Sequence, residues 1–393
     1  MKNNLNSAFI TEASRTPFGK FNGGITGIRP DDLLGNLLRN LRLNTEDRFD
    51  IKEVQDIIIG DSNGAGEDNR NVARMSSLLA GYPVEIPGVT VNRLCGSGAE
   101  AIAQAARSIY TGEMNCVIAG GVESMSRAPW IVEKEAEIPT SPKLHQSTIG
   151  WRLVNPLMPG EWTQSLGVCT ENVAIKYNIS RTRQDEWAFR SHQLAHKAWE
   201  NKFHSNWVLP QGNLLIDECI RHTTTLEKLS ELKSAFSEDG PLTAGNSSPI
   251  NDGAVATFVA SKDFIHQNNL TAICEIVSVQ VVGIEPHRFT EAPIGAISQL
   301  LKKNNLKFSD ISLWEINEAF AAMVLTVLSQ LPEINEDKVN IHGGAIAIGH
   351  PIGASAARAV IDCGRALQKI GGGLGVAAAC IGVGQGIAVL VKV

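Results

Sequence analysis

The feature that most constrains the fold is a pattern that occurs twice along the chain. In each half, an apolar strand is followed by a turn with a reactive side chain, then by a helix of small residues and a further strand. The reactive side chain is Cys95 in the first half and His350 in the second. Strands that alternate with helices form helix-covered sheets, so the pattern predicts two α/β halves of like topology that face each other.

The expected elements follow from local patterns. Short apolar runs that end at glycine or at a turn predict the strands, and alanine-rich periodic stretches predict the helices. The first half is predicted to hold strands at 54–60, 89–92 and 116–122 and a helix at 99–110. The second half is predicted to hold strands at 310–317, 374–379 and 387–393 and a helix near 356–367. His350 is expected to lie beyond a strand that starts near residue 341. Glycine and alanine crowd 95–125 and 343–388, which predicts closely packed backbones there.

The middle of the chain, about 123–250, departs from this pattern. It carries more charge and most of the tryptophans, and its alternation of strands and helices is weak. We expect an inserted loop domain that packs over the first half and forms a lid or a binding loop. Its clearest helix, at 184–203, places Trp187, Leu194 and Ala198 on one face.

A polar, asparagine-rich segment at 262–270 is the predicted boundary between the halves. The N-terminal half, with the inserted domain, is therefore predicted at 1–262. The C-terminal half is predicted at 270–393.

Charge and cysteine content narrow the classes of function. The formal net charge is −6 and the pI about 5.9, whereas a nucleic-acid-binding surface is normally basic. The seven cysteines are odd in number and none are spaced as Cys-x-x-Cys, which argues against disulfides or a zinc site and favours a reducing compartment. The chain has neither an apolar leader nor a run of about 20 apolar residues. We expect a cytoplasmic protein that binds no membrane, nucleic acid or metal.

Cys95 stands in Leu-Cys-Gly-Ser-Gly between a predicted strand and a predicted helix. One interpretation is a buried structural thiol, which is common for free cysteines. The other is a nucleophile, because a helix N-terminus stabilises a thiolate and flanking glycines let a substrate approach. Position alone does not decide between the two.

Two further side chains are candidates for chemistry. A lone histidine is more often structural, but His350 lies between Gly349 and Pro351 before a small-residue helix. An imidazole that titrates near neutrality suits the base that a nucleophilic cysteine needs. Asn317 stands where a predicted strand ends and a predicted helix begins, so its local interpretation is a helix N-cap. That interpretation does not exclude an asparagine that also orients water.

Two patterns suggest other sites, and both are rejected. The glycines after Cys380 resemble a dinucleotide fingerprint, but too few residues follow for its helix and its acidic residue. His192, His196 and Glu200 have the spacing of a metal site on a helix. Zincins place Glu directly after the first His, where this chain has Gln193, so we expect a solvated helix face instead.

Taken together, these segments resemble the thiolase superfamily in residues and in order. The matches are Cys-Gly-Ser-Gly from Cys95, Asn-Glu-Ala-Phe from Asn317, Gly-Gly-Ala-x-Ala-x-Gly-His-Pro at 343–351, and Cys-x-Gly-x-Gly-x-Gly at 380–386. They are spread over nearly the whole chain. The resemblance implies the thiolase fold, two similar α/β halves in a five-layered αβαβα core with an inserted loop domain. It also implies a homodimer or homotetramer.

The closest resemblance is to degradative thiolases, especially those that act on 3-oxoadipyl-CoA, through segments 65–75 and 148–158. One loop, 283–294, departs from the usual Gly-x-x-Pro-x-x-Met-Gly-x-Gly-Pro. It has Phe289, Thr290 and Ala292 in place of Met, Gly and Gly. Because that loop lies near the substrate in thiolases, the acyl-chain preference stays open.

The resemblance implies a role for each matching group in a ping-pong acyl transfer. His350 would take the proton of Cys95, whose thiolate attacks the 3-keto carbonyl. Cys380 would protonate the departing acetyl-CoA enolate and then deprotonate CoA. One oxyanion hole would be His350 with a water held by Asn317, and the other the backbone N–H groups of Cys95 and Gly382.

The resemblance also implies binding residues for CoA, which is a co-substrate and not a permanently bound cofactor. Ser248 would lie near the pantetheine, and Arg221 and Phe236 near the nucleotide. An acyl chain that ends in a carboxylate would need a cation in its pocket. Arg152 is the candidate for that cation and His145 a weaker one. The alternative interpretation of Arg152 is a surface or structural ion-pair residue.

Three other functions are alternatives. One is an acetoacetyl-CoA thiolase, and another is a condensing 3-oxoacyl-carrier-protein synthase, which commonly uses Cys-His-His. The third, a non-catalytic lipid carrier, should have lost part of the Cys/His/Cys set that this chain retains.

Overall fold

The structure, a computed structural model, describes residues 6–134 and 141–393. Its strands in this part of the chain are β1 (Ala8–Arg15), β2 (Gly19–Lys20), β3 (Asp56–Gly60), β4 (Val89–Val91), β5 (Cys116–Ser124), β6 (Trp130–Val132), β7 (Leu144–Gln146), β8 (Asn251–Ser261), β9 (Cys274–Gly283), β10 (Ile311–Ile316), β11 (Leu374–Ile381) and β12 (Gln385–Lys392).

Helices occupy much of the remaining described chain. They are α1 (Pro30–Thr45), α2 (Val72–Leu79), α3 (Ser97–Tyr110), α4 (Leu166–Lys176), α5 (Arg181–Glu200), α6 (Leu226–Ser230), α7 (Lys262–Gln267), α8 (Ala292–Lys303), α9 (Ala321–Gln330), α10 (Ala345–Ile348) and α11 (Ile352–Lys369). No helix in these residues is long and apolar enough to cross a membrane.

A mixed sheet joins the two halves. Its order is β10-β11-β12-β9-β1-β8-β5-β3-β4, and β2 pairs with β8. Strand β1 pairs with β8 of its own half and, over Ala8–Ile10, with β9 of the other half. The sheet is therefore continuous from one half to the other through the pairing of β1 with β9.

The helices form three layers around this sheet. Helices α3 and α11 pack on each other and contact strands of both halves. Helices α1 and α2 cover the outer face of the first half, and α8 and α9 cover that of the second. Three buried apolar cores fill the spaces between these layers. The arrangement is the αβαβα order that the resemblance to thiolases implied.

Glycines permit a close approach of the central helix α11 to the first half. A Cβ on Gly121 would lie 2.0 Å from the carbonyl oxygen of Gly353. A Cβ on Gly353 would lie 2.3 Å from that of Val122. Both distances are below any real Cβ contact, so only glycine fits at these positions. The predicted close packing of backbones around α11 is confirmed.

One predicted strand is absent. Residues 341–350 do not form a strand, because the chain turns at Gly343, which has φ +79°, and continues into the short helix α10. Just before this turn, Val339 forms an isolated bridge with Trp314 of β10. His350 therefore follows a helical turn, and α11 begins at Ile352, earlier than the predicted position near 356.

The inserted segment packs differently from the expectation. Helices α4 and α5 lie against α9 and α10 of the second half, not mainly over the first half. A buried hydrogen bond explains part of this docking, because Nε1 of Trp187 on α5 donates to Oε1 of Glu318 at 3.0 Å. Trp187 and Ala198 are buried as predicted, and Leu194 is half-buried. The predicted boundary segment contains α7, and the domain limits stay a prediction.

Candidate active site

Cys95 lies in a single 3₁₀ turn, Leu94–Gly96, directly before α3. Leu94 has φ +47°, a conformation that a leucine rarely adopts, so the turn is held by its surroundings. A Cβ on Gly96 would lie 2.5 Å from Cδ1 of Ile381, so this turn packs closely on the end of β11. The thiol is 8% exposed and faces a cavity.

The resting thiol of Cys95 is protonated at neutral pH. Burial raises its pKa to about 11, and the backbone N–H groups of Gly382 and of Cys95 itself, which point at Sγ, oppose this only in part. The negative charge of Glu123 raises the pKa further. The expectation that the helix N-terminus favours a thiolate is therefore wrong for the resting site, because burial has the larger effect.

Hydrogen bonds fix both the backbone and the ring of His350. Its backbone N–H donates to Oδ1 of Asn251 at 2.8 Å, and its Nδ1 lies 2.7 Å from Oγ of Ser355. Because Ser355 Oγ–H donates to the carbonyl of Pro351, this oxygen accepts from Nδ1–H, which leaves Nε2 unprotonated. Burial, and to a lesser degree Arg358, lowers the pKa of His350 to about 4. The ring is thus neutral at pH 7, and Nε2 is free to accept a proton.

Asn317 contacts His350 directly. It follows β10, is fully buried, and its Nδ2 lies 3.4 Å from Nε2 of His350. Its backbone N–H donates to the carbonyl of Ala378 on β11 at 2.8 Å. The interpretation of Asn317 as a helix N-cap is wrong, because α9 begins at Ala321 with Phe320 as its N-cap residue.

Glu318 follows Asn317 in the chain and fixes the position of the Asn-Glu-Ala-Phe segment through hydrogen bonds. The sequence alone did not single it out. Its fully buried carboxylate accepts hydrogen bonds from Trp187, Ser191, Asn340 and the backbone N–H of Ile346. A Cβ on Gly344 would lie 2.2 Å from the carboxylate carbon of Glu318. The glycine pair that begins the 343–351 motif therefore leaves room for this buried charge.

Cys380 lies opposite Gly386 in the hairpin of β11 and β12 and is fully buried. Burial raises the pKa of its thiol well above the usual range, and the charge of Cys95 raises it further, so the two thiols are electrostatic neighbours. The turn that follows places Gly382 beside Cys95. No helix follows this turn, which agrees with the rejection of a dinucleotide site.

A cavity of about 360 Å³ opens over Cys95. Arg152 lines it, and Nη2 of Arg152 donates to Oδ1 of Asn63 at 2.8 Å. The other lining residues include Ser62, Leu94, Glu123, Ser147, Thr148, Trp151, Leu166, Ile352 and Gly382. His145, the weaker candidate, lies outside this cavity, with Nε2 at 3.3 Å from Glu133.

The three candidates for CoA contacts lie at two places. Ser248 donates its backbone N–H to Ala319, and the ring of Phe236 packs edge-on against Phe320 at 5.9 Å, so both lie beside the Asn-Glu-Ala-Phe segment. Arg221 is exposed and lies against α5, where its backbone N–H donates to Nδ1 of His192 at 3.1 Å.

The expectation of one solvated face for His192, His196 and Glu200 is wrong for the first of them. His192 is 3% exposed and accepts the hydrogen bond from Arg221. His196 and Glu200 are partly exposed and pair at 3.4 Å. Within the described ranges, no three His, Cys, Asp or Glu side chains form a group that could hold a metal ion.

Comparison with known proteins gives matches along nearly the whole chain. Residues 8–263 match the thiolase N-terminal domain, and residues 270–393 match the thiolase C-terminal domain. The beta-ketoadipyl-CoA thiolase of Acinetobacter baylyi is 43% identical over 99% of this chain and 100% of its own length. The 3-oxoadipyl-CoA/3-oxo-5,6-dehydrosuberyl-CoA thiolase of Escherichia coli is 42% identical over the same shares.

Solved structures agree. The acetyl-CoA acetyltransferase of Bacillus anthracis superposes with a TM-score of 0.91 at 33% identity over 100% of both chains. Human mitochondrial 3-ketoacyl-CoA thiolase in complex with CoA gives a TM-score of 0.91 at 35% identity over 99% of this chain and 98% of that one. By sequence and by structure, the chain belongs to the thiolase family of acyltransferases.

Proposed function

We propose that this enzyme cleaves a 3-ketoacyl-CoA with coenzyme A, through an acyl-enzyme on Cys95, into acetyl-CoA and a shortened acyl-CoA. One observation carries the proposal. The Cys95 thiol faces a cavity, two backbone N–H groups point at its sulfur, and its charge raises the pKa of a second thiol, that of Cys380. A neutral imidazole with a free Nε2, in contact with Asn317, supplies the base.

The first half-reaction forms the acyl-enzyme. Nε2 of His350 accepts the proton of Cys95 as the sulfur attacks the C3 carbonyl of the substrate. The bond between C2 and C3 then breaks, and the electron pair leaves on the acetyl-CoA enolate. Cys380 donates its proton to C2 of that enolate, which releases acetyl-CoA and leaves a thiolate on Cys380.

The second half-reaction returns the enzyme to its starting state. The Cys380 thiolate takes the proton of incoming CoA, whose sulfur attacks the thioester on Cys95. The Cys95 sulfur leaves and regains its proton from His350. Both thiols and the imidazole are neutral in the resting site. The charges on His350 and Cys380 therefore arise in the first half-reaction and are removed in the second.

Two sites are proposed to stabilise oxyanions. The N–H groups of Cys95 and Gly382 form one, which their direction toward Sγ of Cys95 supports. His350 and a water held by Asn317 form the other. Oδ1 of Asn317 is buried and accepts no hydrogen bond from a described residue, so the amide has capacity for a water.

The CoA contacts are proposed by resemblance and position. Ser248 is proposed to lie near the pantetheine, which its hydrogen bond to Ala319, in the segment that carries Asn317, supports. Phe236 is proposed to lie near the nucleotide, and its ring packs against Phe320. Exposed Arg221 offers a positive charge for the nucleotide phosphates. The homodimer or homotetramer and the cytoplasmic location stay predictions from the sequence.

The proposed substrate is 3-oxoadipyl-CoA, whose acyl chain ends in a carboxylate. The names of the bacterial relatives support this choice. Arg152 supports it from the structure, because this guanidinium lines the same cavity as Cys95 and its hydrogen bond to Asn63 is to a neutral amide. A cation in the acyl pocket offsets the cost of burying the terminal carboxylate.

Replacing Arg152 with alanine tests this substrate. We expect kcat/KM for 3-oxoadipyl-CoA to fall by roughly 10- to 100-fold, since a charged hydrogen bond contributes about 1.5–3 kcal/mol. The rate with acetoacetyl-CoA, which has no terminal charge, should stay within about twofold of the unmodified enzyme. Arg152→Lys keeps the charge but not the planar donors, so it should recover part of the loss. Equal losses on the two substrates would mean that Arg152 is structural.

Acetoacetyl-CoA is the second candidate substrate, and the likeness to an acetyl-CoA acetyltransferase favours it. Steady-state kinetics on a panel of 3-ketoacyl-CoAs distinguishes the two. A clear preference for acetoacetyl-CoA, or for long neutral chains, would exclude 3-oxoadipyl-CoA and leave the acyl-transfer chemistry intact.

A further inference from the structure

A buried carboxylate links the two halves at the wall of the catalytic cavity. Glu123, near the end of β5, is 3% exposed and lines the cavity with Cys95. Its Oε2 accepts from the backbone N–H of Ser62 at 3.1 Å and from the hydroxyl of Ser62 at 2.5 Å, both within the first half. The same oxygen accepts from the backbone N–H of Gly353, in the second half, at 2.9 Å.

Gly353 stands in the first turn of α11, where a backbone N–H has no partner within the helix. The N-cap residue, Pro351, offers no capping side chain. Glu123 therefore satisfies this donor across the interface, with a charge that the helix N-terminus favours. The close approach of Gly353 to Val122 leaves little room for the helix end to move.

The first turn of α11 in turn holds the catalytic histidine. His350 directly precedes Pro351, and its Nδ1 donates to Ser355 on α11. Cys95 lies on a turn of the other half. The distance between base and nucleophile consequently depends on contacts that join the halves, and Glu123 makes such a contact at the wall of the cavity that Cys95 lines.

Asp61 is an acidic neighbour of Glu123. Burial and the charge of Glu123 raise the pKa of Asp61 to about 9. The pKa of Glu123 is raised by burial only to about 7, because Ser62 and Gly353 donate to it. Of the two acids, Glu123 therefore ionises at the lower pH.

We propose that Glu123 is a positioning residue for acyl transfer, which holds the N-terminus of α11, and with it His350, against the Cys95 turn. This inference rests on the proposed acyl transfer at Cys95. Glu123 acts through Gly353 and the helix, not on the substrate.

The test compares two substitutions by the rate at which acetyl-CoA acetylates Cys95. In Glu123→Ala the link is lost, and we expect the rate constant at saturation to fall by roughly 30- to 100-fold, as expected for a misplaced base. The concentration for half-maximal rate should change by less than about threefold, because Glu123 is not among the proposed CoA contacts. In Glu123→Gln the amide oxygen still accepts from Gly353 and Ser62, so the rate should stay within about tenfold of the unmodified enzyme.

Two measurements separate this role from a general loss of structure. The final fraction of acetylated Cys95 counts correctly folded sites, and rates are compared per such site. Asp31→Asn is the matched control, since Asp31 is equally buried but pairs with Arg29 of its own half at the start of the outer helix α1, and it should keep the unmodified rate.

Three results would overturn the inference. They are an unmodified rate in Glu123→Ala, a loss that vanishes when rates are taken per folded site, and an equal loss in Glu123→Ala and Glu123→Gln. A failure of the unmodified enzyme to acetylate Cys95 at all would instead contradict the proposed function itself, so the two failures are distinguishable.

Discussion

Cys95→Ala is expected to lower kcat for thiolysis by about 10⁴-fold or more, because the substitution removes the atom that forms the covalent bond. The loss should appear with every 3-ketoacyl-CoA, since the nucleophile is common to all of them. Binding of CoA, measured by calorimetry, should change little, because alanine leaves the cavity open. Steady-state kinetics with purified variant protein checks the prediction.

A matched control is available in Cys116. This thiol is also buried and free, but it begins β5, whose opposite end carries Glu123 beside the cavity. Cys116→Ala should keep kcat within about threefold of the unmodified enzyme, as expected for a residue that packs and does not react. Residual turnover above a few per cent in Cys95→Ala would contradict the role of Cys95.

Cys380→Ser is expected to lower kcat by roughly 10²- to 10⁴-fold, the range for loss of a positioned acid and base. A serine hydroxyl is a much weaker acid than a thiol, so it protonates the enolate and activates CoA poorly. Formation of the acyl-enzyme by acetyl-CoA should suffer less than turnover, because Cys95 and His350 remain. Stopped-flow acylation compared with steady-state turnover separates the two steps.

The outcome at Cys380 is informative in both directions. A variant that acylates at Cys95 but turns over slowly supports an acid and base at Cys380. Near-normal turnover in Cys380→Ser would assign that role to another group. Loss of acylation to the same extent as turnover would make Cys380 part of the nucleophilic step.

The central elements were predictable because their signals are local. An apolar run, a glycine-rich turn and an alanine-rich helix stand in succession around Cys95, and β3, β5 and α3 form where these patterns lie. The structure of the segment before His350 was not predictable, because its apolar residues fit a buried helical turn as well as a strand. A positive φ at Gly343 decides between them, and an added Cβ there would lie 2.6 Å from Cβ of Ala195 on α5, a long-range contact that local patterns do not show.

The residues proposed to react could be singled out from the sequence, and the residues that support them could not. Motifs in order along the chain singled out Cys95 and His350, but local patterns do not show that Glu123 reaches Gly353 across the interface. The expected lowering of the Cys95 pKa failed for a related reason. A helix N-terminus is visible in the sequence, whereas the burial that outweighs it arises only when both halves enclose the thiol.

Mass spectrometry of the enzyme after incubation with acetyl-CoA tests the central claim most directly. We expect the intact protein to gain one acetyl group, and peptide mapping to place that group on the sulfur of Cys95. Addition of free CoA should then remove it as acetyl-CoA. An acetyl group on Cys380 with Cys95 unmodified, or no covalent adduct under conditions that support turnover, would contradict acyl transfer through Cys95.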